Sequence, residues 1–183
     1  MSTNAGQSAV TAEQAAKLYP DQRWEIIRGE LIMMTPAGYR HGRIANKIAY
    51  LVTHHVLEHG LGEVVGPATG FYLERSPDTL RAPDTAFVGR ARLDEMNETG
   101  FAEIVPDLAV EVVSPSDSPS YVEDKARMWI DHGVKLVWVV WPQTRSISVH
   151  RGADAPAILH DGDELTGGEV LPEFRCDVSA VFD

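Results

Sequence analysis

The chain has 183 residues, of which 44% are hydrophobic and 23% charged, with 27 acidic and 16 basic side chains and a formal net charge of −11. This size and composition fit a globular protein with a sizeable core, and the acidic balance opposes non-specific nucleic-acid binding, which depends on neutralising phosphates. No apolar run approaches the roughly 20 residues needed to span a bilayer. Met1 to Val10 carries neither a basic start nor an apolar stretch, so no signal peptide is expected. The single cysteine, Cys176, excludes an internal disulfide, reads as a small buried side chain, and fits a reducing, cytoplasmic setting.

Residues 1–10 read as a disordered tail. Thr11 with Gln14 forms a capping-box pattern, predicting a short helix to about Leu18, closed by Pro20. Trp24-Glu25-Ile26-Ile27, a turn at Arg28-Gly29 and Glu30 to Met34 predict a hairpin. From His41 to His59, apolar residues recur at the helical period through Ile44, Ile48, Leu51, Val52 and Val56, and Gly60 stops the helix. The run Arg40-His41-Gly42-Arg43 with Lys47 is the densest basic stretch and reads first as a solvated helix start. Short strands are expected near Glu63 to Val65, Phe71 to Leu73 and Asp84 to Val88, and Arg90 to Glu103 reads as loop with a little helix.

Asp107 to Val113 is β-branched and reads as a strand. Ser120 with Glu123 predicts a helix over about Tyr121 to Asp131, with Gly133 beyond its end. Lys135 to Trp141 is apolar on both faces apart from its first residue and suggests a central strand, reached from the previous one by a parallel crossover. Ile147 to His150 and short strands in the tail follow. The expectation is an α/β fold of mixed α+β type, with a central mixed β-sheet flanked by helices. Residues 1–20 would form a tail and short helix, and 21–183 a single domain.

Three charges interrupt this pattern. Asp84 opens the apolar run Thr85 to Val88, Glu111 sits inside Leu108 to Val113, and Lys125 is aligned with Met128 and Trp129 on the apolar side of its helix. Charges so placed cost desolvation energy unless they are paired or bind a metal. Strand alternation puts Glu111 on the face of the small Ala109, and Asp84 on the face of Ala86 and Val88. If the two strands are neighbours, the carboxylates converge, and the lysine returns over them from the next helix. Such a site could hold Mg²⁺ and cleave phosphodiesters; the plainer reading is a salt-bridged surface network. His55 and His59, spaced i, i+4, lack a third ligand and read as a structural pair. Trp24, Trp129, Trp138 and Trp141 read as core or interface residues, with a base-stacking platform as the alternative.

The chain resembles the Uma family of proposed restriction endonucleases, within the PD-(D/E)XK restriction-endonuclease-like superfamily. The carriers are Trp24 to Leu31, His41 opening a helix, Ala82 to Val88, Pro106 to Ser116, Lys125, and Gly133 to Trp141. The resemblance implies a restriction-endonuclease-like core and a Mg²⁺-dependent endonuclease, with Mn²⁺ as a substitute. Asp84 and Glu111 would be the metal ligands. The superfamily's lysine two residues past the acidic residue is Val113 here, and Lys125 would replace it. Glu30 also matches, as a further acidic site residue, as does His41, as a phosphate contact or proton carrier. The implied partner is nucleic acid, DNA before RNA, and no membrane; a homodimer follows only by analogy with enzymes that cut both strands. The alternatives are a catalytically inactive nuclease-fold binding or assembly protein and a hydrolase of small phosphodiesters.

Overall fold

The computed structural model describes residues 9–96 and 99–183. The tail expected over residues 1–10 lies outside these except for its end, where the Val10 N–H donates to Gly29 O at 2.9 Å. Helix α1, Ala12–Leu18, starts at the expected capping box: Gln14 N–H donates to Thr11 Oγ1 and Thr11 N–H to Gln14 Oε1. Strands β1 (Trp24–Ile27) and β2 (Glu30–Met33) form the expected hairpin. Its turn residues, Arg28 and Gly29, both take positive φ (49° and 78°), as a tight hairpin turn requires.

Helix α2 runs from Tyr39 to His59 and ends at Gly60 in the left-handed region. Strands β3 (Gly62–Val65), β4 (Phe71–Glu74), β5 (Thr79–Arg81) and β6 (Thr85–Gly89) follow. A 3₁₀ turn over Arg90–Glu95 accounts for the helical part of the charged segment, of which residues 97 and 98 lie outside the described residues. Strand β7 (Leu108–Val112), helix α3 (Pro119–Asp131) and strand β8 (Leu136–Trp141) come next. The chain closes with β9 (Ser146–His150), β10 (Ala157–His160), β11 (Glu164–Gly167), β12 (Leu171–Asp177) and α4 (Val178–Phe182). Ser118, not Ser120, caps α3: its side chain accepts from Tyr121 N–H. Pro119 then occupies a first-turn position where no N–H is needed.

The central sheet has six strands in the order β10-β9-β8-β7-β6-β3. The β7–β8 pair is parallel, bridged by α3, and the others are antiparallel, so the sheet is mixed and flanked by helices as expected. A separate four-stranded antiparallel sheet, β2-β1-β5-β4, takes in the early hairpin. The sequence did not reveal this second sheet because its organiser, β5, has three residues and ends in a charge, too little for an alternation signal.

Alternation divides the central sheet cleanly. Leu108, Val110 and Val112 join Ile44, Ile48, Val52 and Val56 of α2 in one core. Ala86, Val88 and Ala109 face the other way, onto Val122, Ala126 and Trp129 of α3. Full burial of each aliphatic side chain is worth roughly 1.5–3 kcal/mol. Packing of this kind, rather than propensity, holds α2, which contains Gly42 and several β-branched residues. The basic stretch at its start is partly bonded rather than simply solvated. Arg43 donates to the Phe182 and Asp183 carbonyls, and Arg40 to that of Pro142. Cys176 is half-buried, and burial pushes its thiol up to about 11, which keeps it unreactive at neutral pH.

Asp107 shows how the sheet is tied at the end away from the acidic pair. Its carboxylate accepts from Gly89 N–H at 2.8 Å and from Arg92 at 3.1 Å, and meets Lys135 Nζ at 2.7 Å. Burial alone would raise its pKa, but these three partners outweigh it and hold the carboxyl below its ordinary value. A depressed native pKa contributes stability above the unfolded value, and that contribution is lost as pH falls through the native one. Asp107→Asn should therefore cost roughly 1.5–3 kcal/mol at pH 7. The gap from wild type should close on acidification below the unfolded carboxylate range, as read by urea unfolding across pH. A gap independent of pH would show that the charge is not what stabilises.

Candidate active site

Strand register builds the site. The β6–β7 pairing Thr85↔Val110 and Ala86↔Ala109 continues to set Asp84 opposite Glu111. Asp84 N–H donates to Val110 O at 3.0 Å, and Asp84 Oδ2 accepts from Val112 N–H at 2.8 Å. This carboxylate is thus fixed from its own backbone and from the neighbouring strand. Pro83, just before it, lacks an N–H and ends β5's approach without needing a ladder partner.

Lys125, on the second turn of α3, points back over the sheet. Its Nζ lies 2.7 Å from Glu111 Oε2 and 3.6 Å from Glu25 Oε1. Trp129, one turn on, donates its indole N–H to Glu111 Oε1 at 2.8 Å. The i, i+4 pair therefore grips both oxygens of one carboxylate. His41, from the first turn of α2, places Nε2 3.3 Å from Asp84 Oδ2 and also meets the Val112 main chain.

These groups surround a cavity of about 350 Å³, walled by the loop after β7 and by Met33, Met34 and Tyr121. The structure thus brings together Asp84, Glu111, Lys125 and His41. Glu30 is not among them: it is exposed at the start of β2, away from the cavity. The acidic residue that the hairpin does contribute is Glu25, buried on β1. Glu25 also meets Arg81, fully buried, with Nε–Oε2 at 3.2 Å, and accepts Ala82 N–H at 3.0 Å. Neither was singled out from the sequence. The signal was present: Glu25 interrupts Trp24-Glu25-Ile26-Ile27 as Glu111 interrupts its own run.

Burial and mutual charge set the protonation tendencies. Burial pushes the Asp84 carboxyl up, but the hydrogen bond and charge of His41, the Val112 N–H and the Lys125 charge outweigh it and hold Asp84 below the usual range. Burial pushes Glu111 up, helped by Asp84 and Glu25 and opposed by Lys125, and its pKa is raised. Burial alone would lower the Lys125 ammonium, but Glu111 and Glu25 outweigh it, so it stays protonated well above neutrality. The hydrogen bond to Asp84 raises His41 against its own burial.

Three carboxylates, Glu25, Asp84 and Glu111, thus face two permanent cations, Lys125 and Arg81. His41, raised beside Asp84, is a third cation when protonated, and the oxygen donors of the cluster suit a hard metal ion. Among the described residues no group of three His, Cys, Asp or Glu side chains is placed to hold a metal. A hard ion such as Mg²⁺ is commonly held by one or two carboxylates and keeps water and substrate oxygens for its other positions. Asp84, Glu111 and the adjoining Val112 main chain are the groups that would hold it.

The mixed central sheet flanked by helices, with β7 and β8 joined in parallel through α3, is the fold class expected of a restriction-endonuclease-like protein. The family model Uma2, described as "Putative restriction endonuclease", matches residues 12–179, and the chain belongs to that family. Among solved structures, a putative nuclease of the DUF820 family from Anabaena variabilis ATCC 29413 superposes with a TM-score of 0.75 at 17% identity, covering 88% of this chain and 90% of that one. At that identity the likeness shows the fold. No curated protein matches the chain. No helix among the described residues is long and apolar enough to cross a membrane.

Proposed function

We propose that this protein is a Mg²⁺-dependent endonuclease that hydrolyses phosphodiester bonds of nucleic acid, with DNA as the expected substrate. The observation that carries the reading is Asp84 facing Glu111 across β6 and β7, with Lys125 Nζ 2.7 Å from Glu111, beside an open cavity. Membership in a family described as restriction endonucleases supports the same reaction.

When bound, Mg²⁺ supplies Lewis-acid chemistry, lowering the pKa of water and offsetting charge on phosphate oxygens. The chain's own groups supply the rest. Hydrolysis adds water's hydroxide to phosphorus, breaks one P–O ester bond and leaves a proton for the departing oxygen. Lys125, cationic and pinned by Glu111 and Glu25, can orient the attacking water and stabilise charge developing on the phosphoryl group. Trp129 and Lys125 hold Glu111 in one orientation, and Val112 N–H and His41 do the same for Asp84. Fixed donors and charges avoid reorganisation at the moment of reaction.

The direct test combines calorimetric titration of Mg²⁺ and Mn²⁺ with cleavage of labelled single-stranded and duplex DNA. Saturable uptake and cleavage abolished by EDTA are expected. Cleavage that persists in EDTA would sink the metal-dependent mechanism. Uptake without cleavage of any nucleic acid would favour a binding or assembly role for the fold.

A further inference from the structure

A second cavity, of about 360 Å³, lies against the first and shares Arg23, Met34 and Ala82 with it. We propose that this second cavity receives an unpaired nucleobase of the substrate, while Arg23 holds the phosphate joining that base to the linkage being cut. The proposal rests on the nuclease reading above and adds a substrate class to it: strands with an unpaired nucleotide beside the scissile bond.

The walls suit a base. Tyr19, Trp24 and Phe101 line the cavity, with Leu80 among the apolar groups. Two of these rings, Trp24 and Phe101, are already fixed. Trp24 Nε1–H donates to Tyr19 O at 3.2 Å, and Phe101 packs edge-to-face with Trp24 at 5.7 Å and with Tyr72 at 6.0 Å. Pre-set aromatic rings offer a stacking surface with little entropy left to lose. The volume lies within the range of about 300–1,000 Å³ typical of small-molecule sites.

Two residues connect this space to the chemistry. Glu25 lines the second cavity and reaches Lys125 in the first at 3.6 Å. A base seated here would therefore adjoin the carboxylate–lysine cluster. Arg23 is exposed at the seam, and its guanidinium makes no hydrogen bond or ion pair with another described residue. Every cation of the central cluster is committed to a carboxylate, whereas this one is available for phosphate, for which a guanidinium is well shaped. A base still paired in a duplex cannot enter such a space without being extruded, at the cost of unstacking.

The test uses a short single strand carrying 2-aminopurine, the same strand with an abasic residue at that position, and the fully paired duplex. Ala16, half-buried on α1, also lines the cavity, so Ala16→Phe fills it without removing an aromatic wall. Trp24→Leu removes a wall, and Arg23→Gln removes the free cation. Thermal unfolding establishes that each variant folds.

For the wild type, 2-aminopurine emission should change on binding, and KM for the base-containing strand should lie roughly 5- to 150-fold below that for the abasic strand, the span expected of one base–aromatic stack. In Ala16→Phe the two KM values should converge and the emission change should vanish. Arg23→Gln should raise KM on both strands. A folded Ala16→Phe that keeps both the KM ratio and the emission change would overturn the base site. Failure of the catalytic reading looks different: the wild type would cleave neither strand, while the emission change and its loss in Ala16→Phe would still report the base site.

Discussion

Asp84→Asn and Glu111→Gln should each lower Mg²⁺-dependent cleavage by more than the roughly 10–100-fold typical of losing a residue that merely supports a metal ligand. Both substitutions keep most of the shape. Asparagine at 84 can still accept the Val112 N–H, whereas glutamine at 111 can accept from the Trp129 indole or from Lys125 but not from both. What each removes is a negative charge, and with it a metal-binding oxygen anion, from the carboxylate cluster. Metal affinity should therefore fall together with activity in both variants, with a small change in urea midpoint for Asp84→Asn and a larger one for Glu111→Gln, which leaves the Lys125 ammonium without its charged partner. Single-turnover cleavage and calorimetric Mg²⁺ titration on the same preparations read the two effects. Wild-type cleavage in both variants would remove these residues from the active site.

Lys125→Met should be the most destabilising change in the site. It leaves Glu111 and Glu25, both buried, without the ammonium that contacts them at 2.7 and 3.6 Å. Stranding one partner of a buried pair costs about 3–5 kcal/mol. The lower end is expected here, because the Lys125 side chain keeps 12% of its exposure through the cavity mouth. Glu25 also keeps its contact with Arg81. Protonation of Glu111, whose burial already raises its pKa, offers the variant partial relief. Lys125→Met should thus regain stability as pH falls toward the raised Glu111 value, opposite to Asp107→Asn, which approaches wild type only because wild type weakens. Urea unfolding from pH 5 to 8 measures this, and an unshifted midpoint would show that the ammonium is not needed to keep Glu111 buried.

The sequence made the elements around the site legible because each carried a local signature. A capping box opened α1, a long helical period marked α2, and an apolar run marked β8. Alternation put Glu111 on the face of Ala109 and Asp84 on the face of Ala86 and Val88, and the structure packs that face against α3. The helical period also aligned Lys125 with Trp129, though it could not show that both would close on one carboxylate. Glu25 interrupts its apolar run as Glu111 does, but with four residues in its strand and three in that of Arg81, alternation could not show which face either charge occupies.

By itself, then, the sequence determined which residues face which side, since the periods of two and 3.6 are properties of the local backbone. Only the tertiary structure decided which faces meet. The hairpin joined a second sheet rather than the central one, which buried Glu25 against Lys125 and left Glu30 exposed. Antiparallel register, a long-range pairing, then set Asp84 opposite Glu111. That choice depends on burying apolar surface from segments far apart in the chain, a quantity that no local window contains.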